Sequence, residues 1–240
     1  MPASGNHPMA RRSFLAGAVV TAGAIALPRA AVAQATSDSV HRLLVLASQN
    51  AFAKLTAPNG FWASRVARFG LPVLFRKTPS NASGPLGKDS FRAELQHRLN
   101  ILAETGARGA APVVAEAARK LTVADPAAIL QGKPSAATSQ LRLEMSSGLV
   151  NAMIPPLEKA LAAAQDPIVA QAVAALTGVA LKDVAHAVAL TADNGIWYEI
   201  GKAEAEIRAN PQLSKDPALI AALRPATPAA PAPTAPSPAS

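Results

Sequence analysis

The chain has 240 residues, half of them hydrophobic, with 21 prolines, no cysteine and a formal net charge of +8. That length suits one or two domains with a sizeable core, and the missing cysteines exclude disulfides, thiolate nucleophiles, zinc ribbons and iron–sulfur clusters. Few aromatics, few charges and abundant alanine favour helices packed through small side chains.

Residues 10–16 read ARRSFLA and open a short apolar run over 14–27, which leads to Ala31-Val32-Ala33. Paired arginines, a short apolar stretch and small residues at an A-x-A site predict a twin-arginine signal peptide over 1–33, with cleavage after Ala33 or Ala35. The run is too short to cross a bilayer core of about 30 Å comfortably, and the simpler alternative is a buried N-terminal helix. The expected address is the periplasm, with no transmembrane span after the signal. Twin-arginine export carries folded proteins and often serves cofactor loading, yet fast folding uses it too. No cofactor is predicted.

Helical periodicity runs through the body, roughly residues 36–224. Val40, Leu43, Leu44, Ala47, Ala51, Phe52 and Leu55 form an apolar stripe that ends at Pro58-Asn59-Gly60. Residues 57–88, rich in Gly, Pro and Ser, are the one long irregular stretch. Phe91, Leu95, Leu99, Leu102 and Ala103 mark a second helix after Asp89 or Ser90, and Pro112 suits the first turn of a third. Thr122 and Asp125 give a start resembling a capping box for a short helix that Gly132 closes. Ser135 opens a long helix through Leu141, Met145, Leu149 and Met153, which Pro155-Pro156 must bend or break. Asp166-Pro167 starts another, and the last covers about 181–209, with Ile196, Ile200 and Ile207 on one face and Asn210-Pro211 as its stop. Residues 225–240 hold six prolines, six alanines and no charge, so a solvated tail partly in polyproline II is expected. The whole reads as one all-α, bundle-like domain of about seven or eight helices between a signal and a tail.

The order of small motifs from Asn59 onward resembles the DUF4197 family, bacterial exported helical proteins of unknown function. The pieces are Asn59-Gly60-Phe61, Leu71-Pro72, Asn100 with Ala103-Glu104, Thr122-Val123 and Asp125. They continue with Ile129-Leu130 and Gly132, Ala136-Ala137-Thr138 with Arg142, then Gly195, Glu204, Ile207-Arg208 and Pro211. The resemblance implies an exported, wholly helical protein and carries no activity. Arg108, Gln140-Leu141 and Ala203 depart from the family pattern, Ala203 standing where an acidic residue commonly precedes Glu204.

Several constellations bear on chemistry. Glu94 with His97, and Asp183 with His186, are acid-x-x-His pairs that each share a helix face. Two such pairs with further glutamates resemble a di-iron carboxylate bundle, an alternative in which the protein is a metal enzyme. The simpler reading is charged outer helix faces. Gly84 to Ser90 imitates a phosphate loop but has Ala82 and Asp89 where that motif needs glycine and a hydroxyl, so a loop ending at a helix start is expected. No nucleophile elbow is present. Gly195 before Trp197-Tyr198 predicts close helix packing or a kink, with core packing of the aromatics weighed against an apolar-ligand cavity beside Trp197. Glu204 and Arg208, at i and i+4, read as a surface pair.

Between Asp38 and Asp89 there is no acidic residue, yet Arg42, Lys54, Arg65, Arg68, Arg76, Lys77 and Lys88 fall there, interleaved with Phe61, Trp62, Phe69 and Phe75. Residues 54–120 hold 11 basic and 4 acidic residues, and 121–220 hold 7 and 10. In an exported protein the anions within reach are lipid headgroups, lipopolysaccharide phosphates and acidic wall polymers, not nucleic acid. The expected function is therefore binding to an anionic envelope component or another periplasmic protein. Arg65, Arg68, Arg76, Lys77, Lys88 and Trp62 are the candidate surface. The plainer alternative packs the aromatics under the bundle and leaves the cations solvated.

Overall fold

The computed structural model describes residues 29–224, apart from Lys77, Pro79, Ser80 and Gln165, with side chains from Gln34 onward. The expected signal sequence before residue 29 and the tail 225–240 lie outside the described residues. Among those described there are nine α-helices, three short 3₁₀ turns and no strand, so the chain is all-α.

Helix α1 (Arg29–Leu55) buries the predicted stripe, Val40 through Leu55, on one side. It stops where Asn59 takes a left-handed φ of 60° and Gly60 opens the four-residue α2 (Gly60–Ala63). A Cβ on Gly60 would stand 2.4 Å from the Lys54 carbonyl oxygen, so only glycine fits that turn. The stretch that follows contains 3₁₀ turns at Val73–Phe75 and Pro85–Gly87.

Helix α3 (Asp89–Lys120) is continuous where two helices were expected, with Pro112 inside it. Pro112 is exposed, while the buried row Leu95, Leu99, Ala103, Ala107, Ala110, Val114 and Ala118 passes it unbroken. Packing on both flanks holds the helix across the one backbone bond that proline removes. Helix α4 (Pro126–Gln131) is capped by Asp125, which accepts from the Ala128 amide; Thr122 does not supply the cap.

The expected long helix from residue 135 is two helices, α5 (Ala136–Met145) and α6 (Gly148–Ala164). Its break falls at Ser146, whose φ of 46° reverses the chain, and not at Pro155-Pro156, which lie inside α6. Helix α7 (Pro167–Ala174) starts on its Asp166 cap, and α8 (Leu181–Ala209) matches the predicted bounds, with Ile196, Ile200 and Ile207 buried. Helix α9 (Pro217–Ala222) was not among the expected helices, although Asp216-Pro217 starts it as Asp166-Pro167 starts α7; Asp216 caps it and Leu219 anchors it in the core.

The four long helices α1, α3, α6 and α8 form a ring in which each packs on the next. Neighbours run antiparallel. His41 of α1 meets the carbonyl of Leu121 just past α3, whereas Thr56, near the other end of α1, meets Arg108. Lys54 pairs with Glu199 on α8, and Arg42 with Asp216 beyond its end. The α4–α5 pair lies against α8 and α1, and α9 closes back on α1.

Candidate functional site

The irregular 57–88 stretch is pinned to α3 and α8 from both sides. Asn100 accepts the Phe69 amide at 3.2 Å and donates to the Phe69 carbonyl at 3.0 Å, while Gln96 donates to that same carbonyl. Arg92 donates to the Phe75 carbonyl at 2.9 Å. On the α8 side, a Cβ on Gly195 would stand 2.7 Å from the Ala67 Cα, so the missing side chain lets this segment lie directly on the helix. Ser64 donates to Glu199, which also takes both its oxygens' contacts from Lys54 at 2.8 Å. Burial raises the Glu199 pKa, but the hydrogen bonds from Lys54 and Ser64 outweigh it and the carboxyl ends below its usual range.

Three of the four aromatics of the stretch belong to the core. Phe61 and Phe75 are fully buried, and Phe69 meets Phe61 edge-on at 6.2 Å. Trp62 alone is partly exposed. Its ring lies 4.7 Å from that of His97, and the Arg68 guanidinium carbon is 5.2 Å from its centroid. His97 Nε2 contacts the Asn59 side-chain oxygen at 3.1 Å.

The cations separate into two groups. Lys54, Arg42 and Arg98 pair with Glu199, Asp216 and Asp166 from the acidic half, and Arg92 and Arg108 donate to backbone carbonyls. Arg65, Arg68, Arg76 and Lys88 are exposed and, among the described residues, enter no ion pair. Lys77 lies outside the described residues.

The di-iron pattern is not assembled. Glu94 pairs with Arg98 at 2.7 Å, His97 lies under Trp62, Asp183 accepts the Ala180 amide at the start of α8, and His186 is exposed. Among the described residues no group of three or more His, Asp or Glu side chains is placed to hold a metal ion.

Glu204 and Arg208 correct the expectation of a surface pair. Glu204 is 0% exposed and Arg208 11%. The carboxylate accepts the Ala137 and Thr138 amides at 3.1 and 2.7 Å, the Thr138 hydroxyl at 2.6 Å and Arg208 Nε at 2.8 Å. Arg208 in turn donates to the Ile129 and Leu130 carbonyls at the end of α4. An anion thus sits at one helix N-terminus and a cation at another's C-terminus, each where the backbone partial charges favour it.

Other motif residues also sit at joints. Arg142 bridges to Asp193 and Asn194 of α8, and Asp193 accepts the Trp197 indole N–H at 3.0 Å. Burial raises the Asp193 pKa, opposed by Arg142 and the indole. Trp197 is core, whereas Tyr198 is 68% exposed. The space beside them, about 400 Å³, is of mixed character, lined by Ser135, Arg142 and Lys202 among others. Glu104 is buried against the Asn59–Gly60 turn, with Oε1 unpartnered among the described residues; burial raises its pKa, against the Gly60 amide, Arg108 and the Asn59 amide.

These joints connect elements far apart in sequence, as a shared domain architecture requires. A family model described as "Protein of unknown function (DUF4197)" matches residues 31–222. The chain belongs to the DUF4197 family. No curated protein and no solved structure matches it. The DUF4197 match takes in every helix described, from the first turn of α1 to the end of α9.

Proposed function

We propose that this DUF4197 protein is exported to the periplasm and acts by binding, docking its basic 62–88 face on anionic lipid headgroups of the envelope. The observation that carries this reading is the set of exposed cations Arg65, Arg68, Arg76 and Lys88, without an ion pair among the described residues, on a stretch that also presents Trp62. The buried carboxylates Glu199 and Glu204 are spent on structural contacts. Among the described residues no helix is long and apolar enough to cross a membrane, which suits peripheral contact.

Export rests on the ARRSFLA motif and its A-x-A site. Among the described residues of α1, Ser39 and Val40 are the first buried, so cleavage after Ala33 spares its described core contacts. The exported protein is expected to begin at Gln34 or, for the alternative site, Thr36. N-terminal sequencing of periplasmic material checks this, and an intact Met1 there contradicts it. For the surface, the fluorescence of Trp62 in a W197F background should shift to the blue with anionic vesicles and stay unchanged with zwitterionic ones; no shift with either defeats the reading.

A further inference from the structure

A cleft of about 420 Å³ opens between α3, α6, α7 and the first turn of α8. Its volume falls within the roughly 300–1,000 Å³ of small-molecule sites. Ile101, Leu102, Leu161 and Val169 supply apolar walls, and Leu181, 41% exposed, stands at the mouth. The space exists because Ala160, Ala164 and Ala170 present only methyl groups where a leucine would close it.

The polar groups are few: Arg98 and Asp166 stand together, and Thr105 lies two turns of α3 further along. Asp166 spends Oδ1 on the Ile168 and Val169 amides as the cap of α7. Its Oδ2 is 3.8 Å from Arg98 Nε, too long for a hydrogen bond. Arg98 donates through Nε to Glu94 at 2.7 Å, and its two terminal amino groups meet no acceptor among the described residues. A guanidinium with open paired donors is suited to a carboxylate or phosphate.

We propose that this cleft binds a single-chain anionic amphiphile, its chain along the alanine-lined floor and its headgroup on the Arg98 amino groups. A fatty acid and a lysophospholipid share that chemistry. The site is independent of the basic 62–88 face, since none of Arg65, Arg68, Arg76 or Lys88 lines it.

The test titrates the purified protein with a dansyl-labelled undecanoic acid below its micelle threshold, then displaces it with hexadecanoate, lysophosphatidic acid or hexadecanol. Saturable one-site binding is expected, with the alcohol weaker than the better anionic competitor by about tenfold, the worth of one charge-assisted contact. Whichever of hexadecanoate and lysophosphatidic acid displaces better identifies the source. A164F and A170F, both at exposed positions, should abolish binding with the helical circular dichroism unchanged. R98Q should weaken the acid about tenfold and leave the alcohol unaffected. The R65E/R68E/R76E variant should bind the probe as the wild type does, which separates this site from vesicle docking. No saturable binding overturns the proposal, as does binding untouched by both phenylalanine variants or equal affinity for acid and alcohol. A change of oligomeric state in A164F or A170F by sedimentation velocity also overturns it, because the cleft would then be a face between copies.

Discussion

Glu204 lies four residues after Ile200 and three before Ile207, both fully or nearly buried, so the apolar periodicity of α8 already places it on the inner face. The i,i+4 charge pattern alone points to solvent. What the sequence cannot display is the destination of the pair, the ends of α4 and α5 some 66 to 79 residues away. E204A leaves the Arg208 guanidinium and the first amides of α5 without their partner in a dry site. A loss of about 3–5 kcal/mol in urea unfolding is expected. E204L/R208M, which removes both charges, should cost less than E204A alone. Glu104 works in the opposite direction. Its raised pKa means the folded state prefers the neutral acid, so its penalty is absent below the ordinary carboxylate range and grows as pH rises towards the folded value. E104Q should therefore melt above the wild type at neutral pH, with the gap closing below about pH 4. A gap that widens on acidification would contradict this.

At the scale of elements, some helix starts were legible, whereas the start expected at Pro112 and the break between α5 and α6 were not. Asp166-Pro167 and the bounds of α8 followed from caps and periodicity, because those signals act within one turn. Pro112 and Pro155-Pro156 misled, because a proline ends a helix only where flanking contacts do not outweigh one lost bond. Pro156 instead packs at the close α3–α6 crossing, where a Cβ on Gly109 would stand 2.6 Å from its Cγ. The break that does occur rests on the φ of Ser146, which Ser-Ser-Gly at 146–148 hardly announces. Gly195 is the element-scale hinge of the site, because the 57–88 stretch rests on it through Ala67. G195V should destabilise the fold by about 1–3 kcal/mol and speed tryptic cleavage at Arg65, Arg68 and Arg76 beyond that at Arg119. Uniform cleavage across these sites would show that the contact does not anchor this stretch in particular.

For the whole molecule, the charge asymmetry read along the chain is offset in three dimensions at a few ion pairs. Antiparallel packing brings Lys54 and Arg42 of the basic half onto Glu199 and Asp216 of the acidic half. The fold class and family were legible because composition, periodicity and motif order are local or linear properties. The candidate surface was legible only in part: the sequence showed seven cations and four aromatics interleaved, and folding buries three of the aromatics and pairs two of the cations, Arg42 and Lys54. What remains is a stretch that exposes Arg65, Arg68, Arg76 and Lys88, with Arg68 over the Trp62 ring, held in place by Asn100, Arg92 and Gly195. Co-sedimentation with anionic phospholipid vesicles tests that face most directly. The wild type should pellet at low ionic strength and be released as salt is raised, while R65E/R68E/R76E stays in the supernatant with an unchanged melting temperature. A wild type that never pellets, or a charge-reversed protein that pellets as well as the wild type, would contradict the account.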